Sequence, residues 1–171
     1  MSEAVSDVLI IGGGPAGTTA ATLLQQSGRR VVLLEKEHHP RFHVGESLLP
    51  MNLPILERLG VLEQVRDIGV IKYGAEFGSA GQDRYQTIQF ANALDKNHTH
   101  AFQVRRAEFD ELLFRNSVAK GVTAREGVRV TGVDFRPGQN TLVHSVDDDG
   151  RQQTWETRYV IDASGRDTFL A

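Results

Sequence analysis

The chain has 171 residues, with 19 basic and 22 acidic side chains, a formal net charge of −3 and 40% hydrophobic residues. That length suffices for one domain with its own core, and the near balance of charge gives no electrostatic reason to expect nucleic acid or an anionic membrane as a partner. The absence of cysteine excludes disulfide scaffolds, thiolate metal sites and thiol nucleophiles.

The opening "MSEAVSDVLIIGGG" carries acids where a signal peptide needs bases, and no stretch approaches the roughly 20 apolar residues of a membrane span. A cytoplasmic location is therefore expected. "DVLII" (7–11) is a short apolar, β-branched run that ends in glycines, the pattern of a buried parallel strand. "PAGTTAATLLQQSG" (15–28) is rich in helix formers and stops at Gly28, and "RVVLLEK" (30–36) reads as a second buried strand. Together they predict a strand–helix–strand unit of about 30 residues.

After the irregular "HHPRFHVGESLLP", the leucines at 53, 56, 59 and 62 predict a helix over 52–65, interrupted at Gly60. "KYGAEFGS", "RYQTIQFAN" and "THAFQVRR" lean toward period two and predict antiparallel strands. "RAEFDELLFRNSVAKG" (106–121) returns to helical period, with Phe109, Leu112, Leu113 and Val118 on one face. "VTAREGVRVTGVDF" predicts a strand pair, and the segment from Thr141 to Gly165 predicts a hairpin turning at Asp149–Gly150.

Gly12, Gly14 and Gly17 form G-x-G-x-x-G between a strand and a helix. The first glycine permits the tight turn, the second lets the backbone approach a pyrophosphate, and the third allows close helix–strand packing. Pro15 and Ala16 complete the turn, where the helix N-terminus offers N–H groups and partial positive charge to phosphates. Glu35 ends the second strand, where an acid accepts hydrogen bonds from ribose hydroxyls and disfavours a 2′-phosphate, and Lys36 stands beside it. The pattern indicates a dinucleotide and by itself does not separate FAD from NAD.

Four ordered stretches resemble the FAD-dependent monooxygenases of the p-hydroxybenzoate hydroxylase type, and among them most of all the flavin-dependent halogenases: "VLIIGGGPAGTTAATLLQQSGRRVVLLEK", "RFHVGESLLP", "FQVRRAEFDELLFRNSVAKGV" and "YVIDASG". The resemblance implies an α/β, Rossmann-like FAD-binding βαβ fold with an added antiparallel β layer, truncated before the substrate domain is complete. It divides the chain into a βαβ unit with a flavin-side loop and helix (1–70), antiparallel strands leading toward the substrate domain (71–105), and a helix, hairpin and return to the FAD domain (106–171).

Arg41 and Arg106 are candidates for FAD phosphates or the flavin edge, because a guanidinium pairs phosphate bidentately. Arg105 departs from the acid or small residue that the family often places there. Glu46 and Ser47 lie in the Gly-Glu-Ser segment beside the flavin; alternatively Ser47 caps a helix holding Leu48 and Leu49. Val130 lies on a strand whose backbone meets adenine in the family, its side chain reading as core. Asp162 caps a turn or approaches the ribose, and Gly165 allows close approach. His38, His39 and His43 lack metal-ligand spacing, and "DDDG" (147–150) lacks the glutamate that closes a calcium loop, so no metal is expected.

Lys72, in "GVIKYGAEF", is similar in position to the lysine that the halogenases require. There, reduced FAD, O2 and halide yield hypohalous acid, which the lysine holds by hydrogen bond or as a haloamine before an electron-rich ring attacks. The alternative is an exposed strand lysine. The resemblance implies a halogenase first and a hydroxylating monooxygenase second, with a geranylgeranyl-reductase-type flavoprotein or a non-catalytic flavin-binding piece as further readings. A halogenase implies a flavin reductase supplying reduced FAD, together with halide, O2 and a small-molecule or carrier-bound aromatic substrate.

Overall fold

The computed structural model describes residues 5–79, 81–94 and 96–170. In chain order the elements are β1 (Ser6–Ile11), α1 (Pro15–Gln26), β2 (Val31–Leu34), α2 (Leu53–Leu59), α3 (Leu62–Ile68), β3 (Val70–Lys72), β4 (Gly74–Ser79), β5 (Gln82–Gln89), β6 (Ala101–Gln103), α4 (Arg106–Ala119), β7 (Thr123–Arg125), β8 (Val128–Asp134), β9 (Thr141–Asp147) and β10 (Gln152–Asp162). They form two compact units, one running to Arg41 and resuming at Asp110, the other spanning Phe42–Phe109.

The first unit is a six-stranded sheet of order β7-β2-β1-β10-β9-β8. β7, β2, β1 and β10 run parallel, while β9 and β8 continue antiparallel. The apolar run of β1 reflects burial on both faces. Val8 and Ile10 pack with Val31, Leu33, Ala21 of α1 and Phe114 of α4. Leu9 and Ile11 pack with Val32, Leu34, Val130, Val143 and Trp155. The meander β8–β10 therefore covers one face of the parallel strands and the helices cover the other.

β10 belongs to both layers. Its residues up to Thr157 pair with β9, and from Thr157 onward they pair with β1. The buried Trp155 donates its indole N–H to Ser145 Oγ at 2.8 Å, which satisfies the polar atom of the largest side chain in that layer. The expected hairpin is present, with Gly150 at φ +79° in its turn. The strands expected as a pair after α4 take different partners: β7 joins β2, and β8 joins β9.

α4 buries Phe109, Asp110, Leu113, Phe114 and Ser117, whereas Val118, expected on the apolar face, is 46% exposed. The buried face is thus rotated from the expected stripe to include an acid.

In the second unit, the helix expected over 52–65 is two helices, because Gly60 takes a left-handed conformation at φ +76° and closes α2. Leu53, Leu56 and Leu59 are the buried residues of α2, each contributing about 1.5–3 kcal/mol of apolar burial. The antiparallel strands form two separate pairs, β3 with β6 and β4 with β5. Residues 50–52 make one 3₁₀ turn that begins after Leu49, whose N–H donates to Asn52 Oδ1 at 3.2 Å, so Ser47 caps no helix; it forms an isolated bridge with Gln103 instead. Among the described residues, no helix is long and apolar enough to cross a membrane.

Candidate functional site

In the first unit, the candidate residues gather where β1 gives way to α1. Gly12 has φ +106°, and a Cβ there would lie 2.5 Å from the carbonyl oxygen of Ala163. A Cβ on Gly17 would fall inside hard-sphere contact with the Gly12 carbonyl oxygen. Only glycine at both positions lets the turn, the helix and the end of β10 approach so closely. Gly14 is the helix N-cap, in an extended conformation with no side-chain cap bond. Pro15 fills the first helical position, where its missing N–H costs nothing, and no acid stands in the first turn. The exposed Ala16 and the buried Gly17 follow. This helix end keeps its N–H groups and partial positive charge available to an anion.

Glu35 is only 4% exposed. Its Oε2 accepts the Gly13 N–H at 2.6 Å and lies 3.3 Å from Arg41 Nη2, while its Oε1 accepts the Glu37 N–H at 2.9 Å. The carboxylate is therefore aimed at the glycine turn by the turn's own backbone. Lys36 Nζ donates to the Asp167 carboxylate, in the short turn after β10, and that ammonium holds the Asp167 carboxyl below its ordinary value. The pair spans the carboxyl end of β1, which lies between β2 and β10.

Arg41 also turns inward. Its guanidinium lies 3.3 Å from Glu35, 3.6 Å from Glu37 and 3.9 Å from the fully buried Asp110, with 11% of the side chain exposed. Its Nη2 would stand 3.6 Å from a Cβ on Gly14, so the cation sits against the helix end. Its Nε is buried without a hydrogen-bond partner among the described residues.

Asp162 caps the turn that follows it, accepting the N–H groups of Ser164 at 2.9 Å and Leu170 at 2.8 Å. Burial opposes its ionisation, but these bonds outweigh that effect and the carboxyl sits below its ordinary value. Gly165 has φ +72° and open space around a Cβ position. Val130 is 7% exposed and belongs to the core beside Trp155. The clustered histidines diverge: His38 Nε2 meets Asp148 at 2.6 Å, and the buried His39 Nδ1 meets Glu126 at 2.8 Å. Among the described residues, no group of His, Asp or Glu is placed to hold a metal ion.

In the second unit, Arg106 Nη1 donates to the Val44 carbonyl at 2.8 Å, and a Cβ on Gly45 would come within 3.2 Å of the same nitrogen. Arg106 thus pins the Gly-Glu-Ser loop. Glu46 Oε2 lies 3.4 Å from Gln103 Nε2. Lys72, half-buried at the end of β3, donates from Nζ to Ser47 Oγ, and the same nitrogen lies 5.3 Å from the centroid of the Phe90 ring.

Residues 5–170 match the family described as FAD binding domain. The chain belongs to the FAD binding domain family. The flavin-dependent halogenase armH3 of Armillaria mellea is 37% identical over 171 residues, covering 97% of this chain and 33% of that protein. The chain thus spans about a third of that curated relative. Among solved structures, the myxobacterial chondrochloren halogenase CndH superposes with a TM-score of 0.87 at 38% identity, covering 96% of this chain and 38% of that one. A flavoprotein/dehydrogenase from Cytophaga hutchinsonii superposes with a TM-score of 0.89 at 34% identity, covering 98% of this chain and 41% of that one.

The cofactor is therefore FAD, and the turn fits it. Two glycines admit no side chain, an uncapped helix end faces the space beyond Gly14, and a buried cation stands beside that end. Sequence reasoning missed Gly13, Ala163, Asp110 and Phe90. Gly13 had a signal in the run of three glycines; the other three enter through pairings distant in the chain.

Proposed function

We propose that the full-length protein is a flavin-dependent halogenase acting on an electron-rich aromatic substrate, free or carrier-bound, with a flavin reductase as partner. The observation that carries this reading is Lys72, whose amine donates to the Ser47 hydroxyl and lies over the face of the Phe90 ring. The likeness to halogenases at 37% and 38% identity supports it.

Gly14, Ala16 and Gly17 receive the diphosphate of FAD on backbone N–H groups, Gly12 and Pro15 shape the turn that presents them, and Arg41 adds its positive charge beside them. Glu35 presents carboxylate lone pairs to the ribose hydroxyls, with Lys36, Asp162, Gly165 and the backbone of Val130 bordering the adenosine. Arg106, Glu46 and Ser47 shape the flavin-side loop, and residues 71–105 lead toward the substrate domain. The chemistry supplied by the bound group is four-electron reduction of O2, two electrons coming from reduced flavin and two from halide, giving hypohalous acid and water. Lys72 holds the hypohalous acid by donating an N–H to its oxygen. The ring carbon takes the halogen as the O–X bond breaks, and the ring proton leaves with the oxygen as water.

The likeness to a flavoprotein/dehydrogenase favours, as a second reading, a flavin reaction that uses no halide. Supplying the purified full-length protein with reductase, NADH, FAD, O2, bromide and phenolic test substrates separates the two. Brominated product is expected; product whose formation ignores bromide would overturn the halogenase reading.

A further inference from the structure

We infer that Ser47 is a positioning residue for Lys72, and that the small side chain of Ala101 is what lets the two meet. The inference rests on the halogenase reading for its purpose but not for its geometry. Lys72 of β3 lies directly opposite Ala101 of β6, and Ser47 forms its bridge with Gln103 on the other edge of the same strand. Two backbone bonds fasten residues 46–48 to that edge: Leu48 N–H to Phe102 O at 3.0 Å and Val104 N–H to Glu46 O at 2.9 Å. The segment acts as a third strand of a ladder whose middle member is β6.

Directly opposed residues of antiparallel strands share a face, as do residues two apart on one strand. Lys72, Ala101, Gln103 and Ser47 therefore share one face. From Lys72 to Ser47 the path crosses two strand spacings and two residues of rise, roughly 12 Å between backbones, which requires an extended lysine. The line between them crosses β6 midway between Gln103 and Ala101, which is fully buried and has no side chain beyond Cβ. Gln103, the longer neighbour on that face, turns its amide to Glu46.

Two independent contacts then fix Nζ. Ser47 Oγ accepts one of its N–H bonds, and the ring of Phe90 lies under the cation at 5.3 Å. Phe90 is 7% exposed, and its N–H is bound to Tyr73 O at 2.9 Å, so the ring is itself held next to the end of β3. An ammonium has three donors. With one committed to Ser47 and the cation steadied on the ring, the directions of the other two are set by the fold before any substrate arrives. Ser47 does not touch the reacting atoms; it aims the group that does.

The test uses the full-length protein without flavin and reads the reactivity of the amine itself. Brief competitive acetylation with acetic anhydride is followed by peptide mass spectrometry at Lys72. Ser47→Ala is expected to raise the acetylation rate of Lys72 about fivefold, the factor that corresponds to one hydrogen bond of about 1 kcal/mol. Ser47→Thr, which keeps the hydroxyl, is expected to retain the wild-type rate, and Ala101→Val, which fills the path, to behave like Ser47→Ala. Equal rates at Lys72 in wild type and Ser47→Ala would overturn the inference. In turnover with bromide, the ratio of brominated product to O2 consumed is expected to fall in Ser47→Ala and recover in Ser47→Thr. A wild type that makes no brominated product defeats the halogenase reading and leaves the acetylation result to decide the positioning alone.

Discussion

The N–H of Gly13 donates to Oε2 of Glu35 at 2.6 Å, tying the turn after β1 to the acid that directly follows β2. A Cβ on Gly13 would lie 2.8 Å from the Glu35 Cβ and 3.1 Å from its Cγ. Gly13→Ala is therefore expected to push the carboxylate off its donors and weaken FAD binding about tenfold or more, the equivalent of one charge-assisted hydrogen bond. Flavin fluorescence titration measures this. Gly28→Ala is the control: Gly28 has φ +83° and nothing within 4 Å of a Cβ, so the change should cost about 1–2 kcal/mol of stability and leave the affinity for FAD unchanged.

Arg41 neutralises a cluster that includes the fully buried Asp110. Replacing the guanidinium by Met leaves that acid without this cation, a loss expected to cost about 3–5 kcal/mol in chemical denaturation. Asp110→Asn in the Arg41→Met background should recover part of it, and the coupling of the double-mutant cycle measures the pair.

Glu126 accepts the backbone and ring N–H groups of His39 at 2.7 and 2.8 Å and pairs with Arg115 at 2.8 Å. Burial alone would raise its pKa, but the bonds from His39 and Arg115 outweigh burial and lower it from 4.5. A carboxyl depressed on folding contributes stability above its unfolded pKa and loses that contribution as pH falls through the folded value. The stability gap between wild type and Glu126→Gln should therefore be constant at neutral pH and shrink below about pH 4.5. Urea melts across pH 3–7 would show it, and a gap that widened on acidification would contradict the sign.

Trp155 is the single tryptophan, and its indole N–H ends on Ser145 Oγ in the buried meander layer. Ser145→Ala should leave that donor unsatisfied and cost about 1–3 kcal/mol, followed through the intrinsic fluorescence of Trp155 itself.

Features set by local periodicity and turn chemistry were legible in the sequence. The unit β1–α1–β2, the glycine turn and the hairpin at Gly150 each lie within a short stretch whose pattern has one good reading. What was not legible depends on distant pairing. Nothing near Thr123 says that β7 will join β2, and nothing near Asp110 says that its carboxyl will be buried against Arg41. Gly60 showed itself as an interruption, yet only its left-handed φ makes it a helix end. Ser47 looked like a cap because its neighbours are leucines, whereas the ladder with β6 takes it instead. The amine of Lys72 was visible; the hydroxyl and ring that hold it come from residues 25 positions before and 18 after it.

The proposed role of Lys72 is tested most directly by bromide-dependent turnover of the full-length protein and its Lys72→Ala variant, with flavin reductase, NADH and O2, product being identified by mass spectrometry. Wild type should give the bromine isotope pattern on an aromatic ring, and Lys72→Ala, still binding FAD, should lose about 100-fold or more of that product. Brominated product formed equally well by the variant would contradict the account.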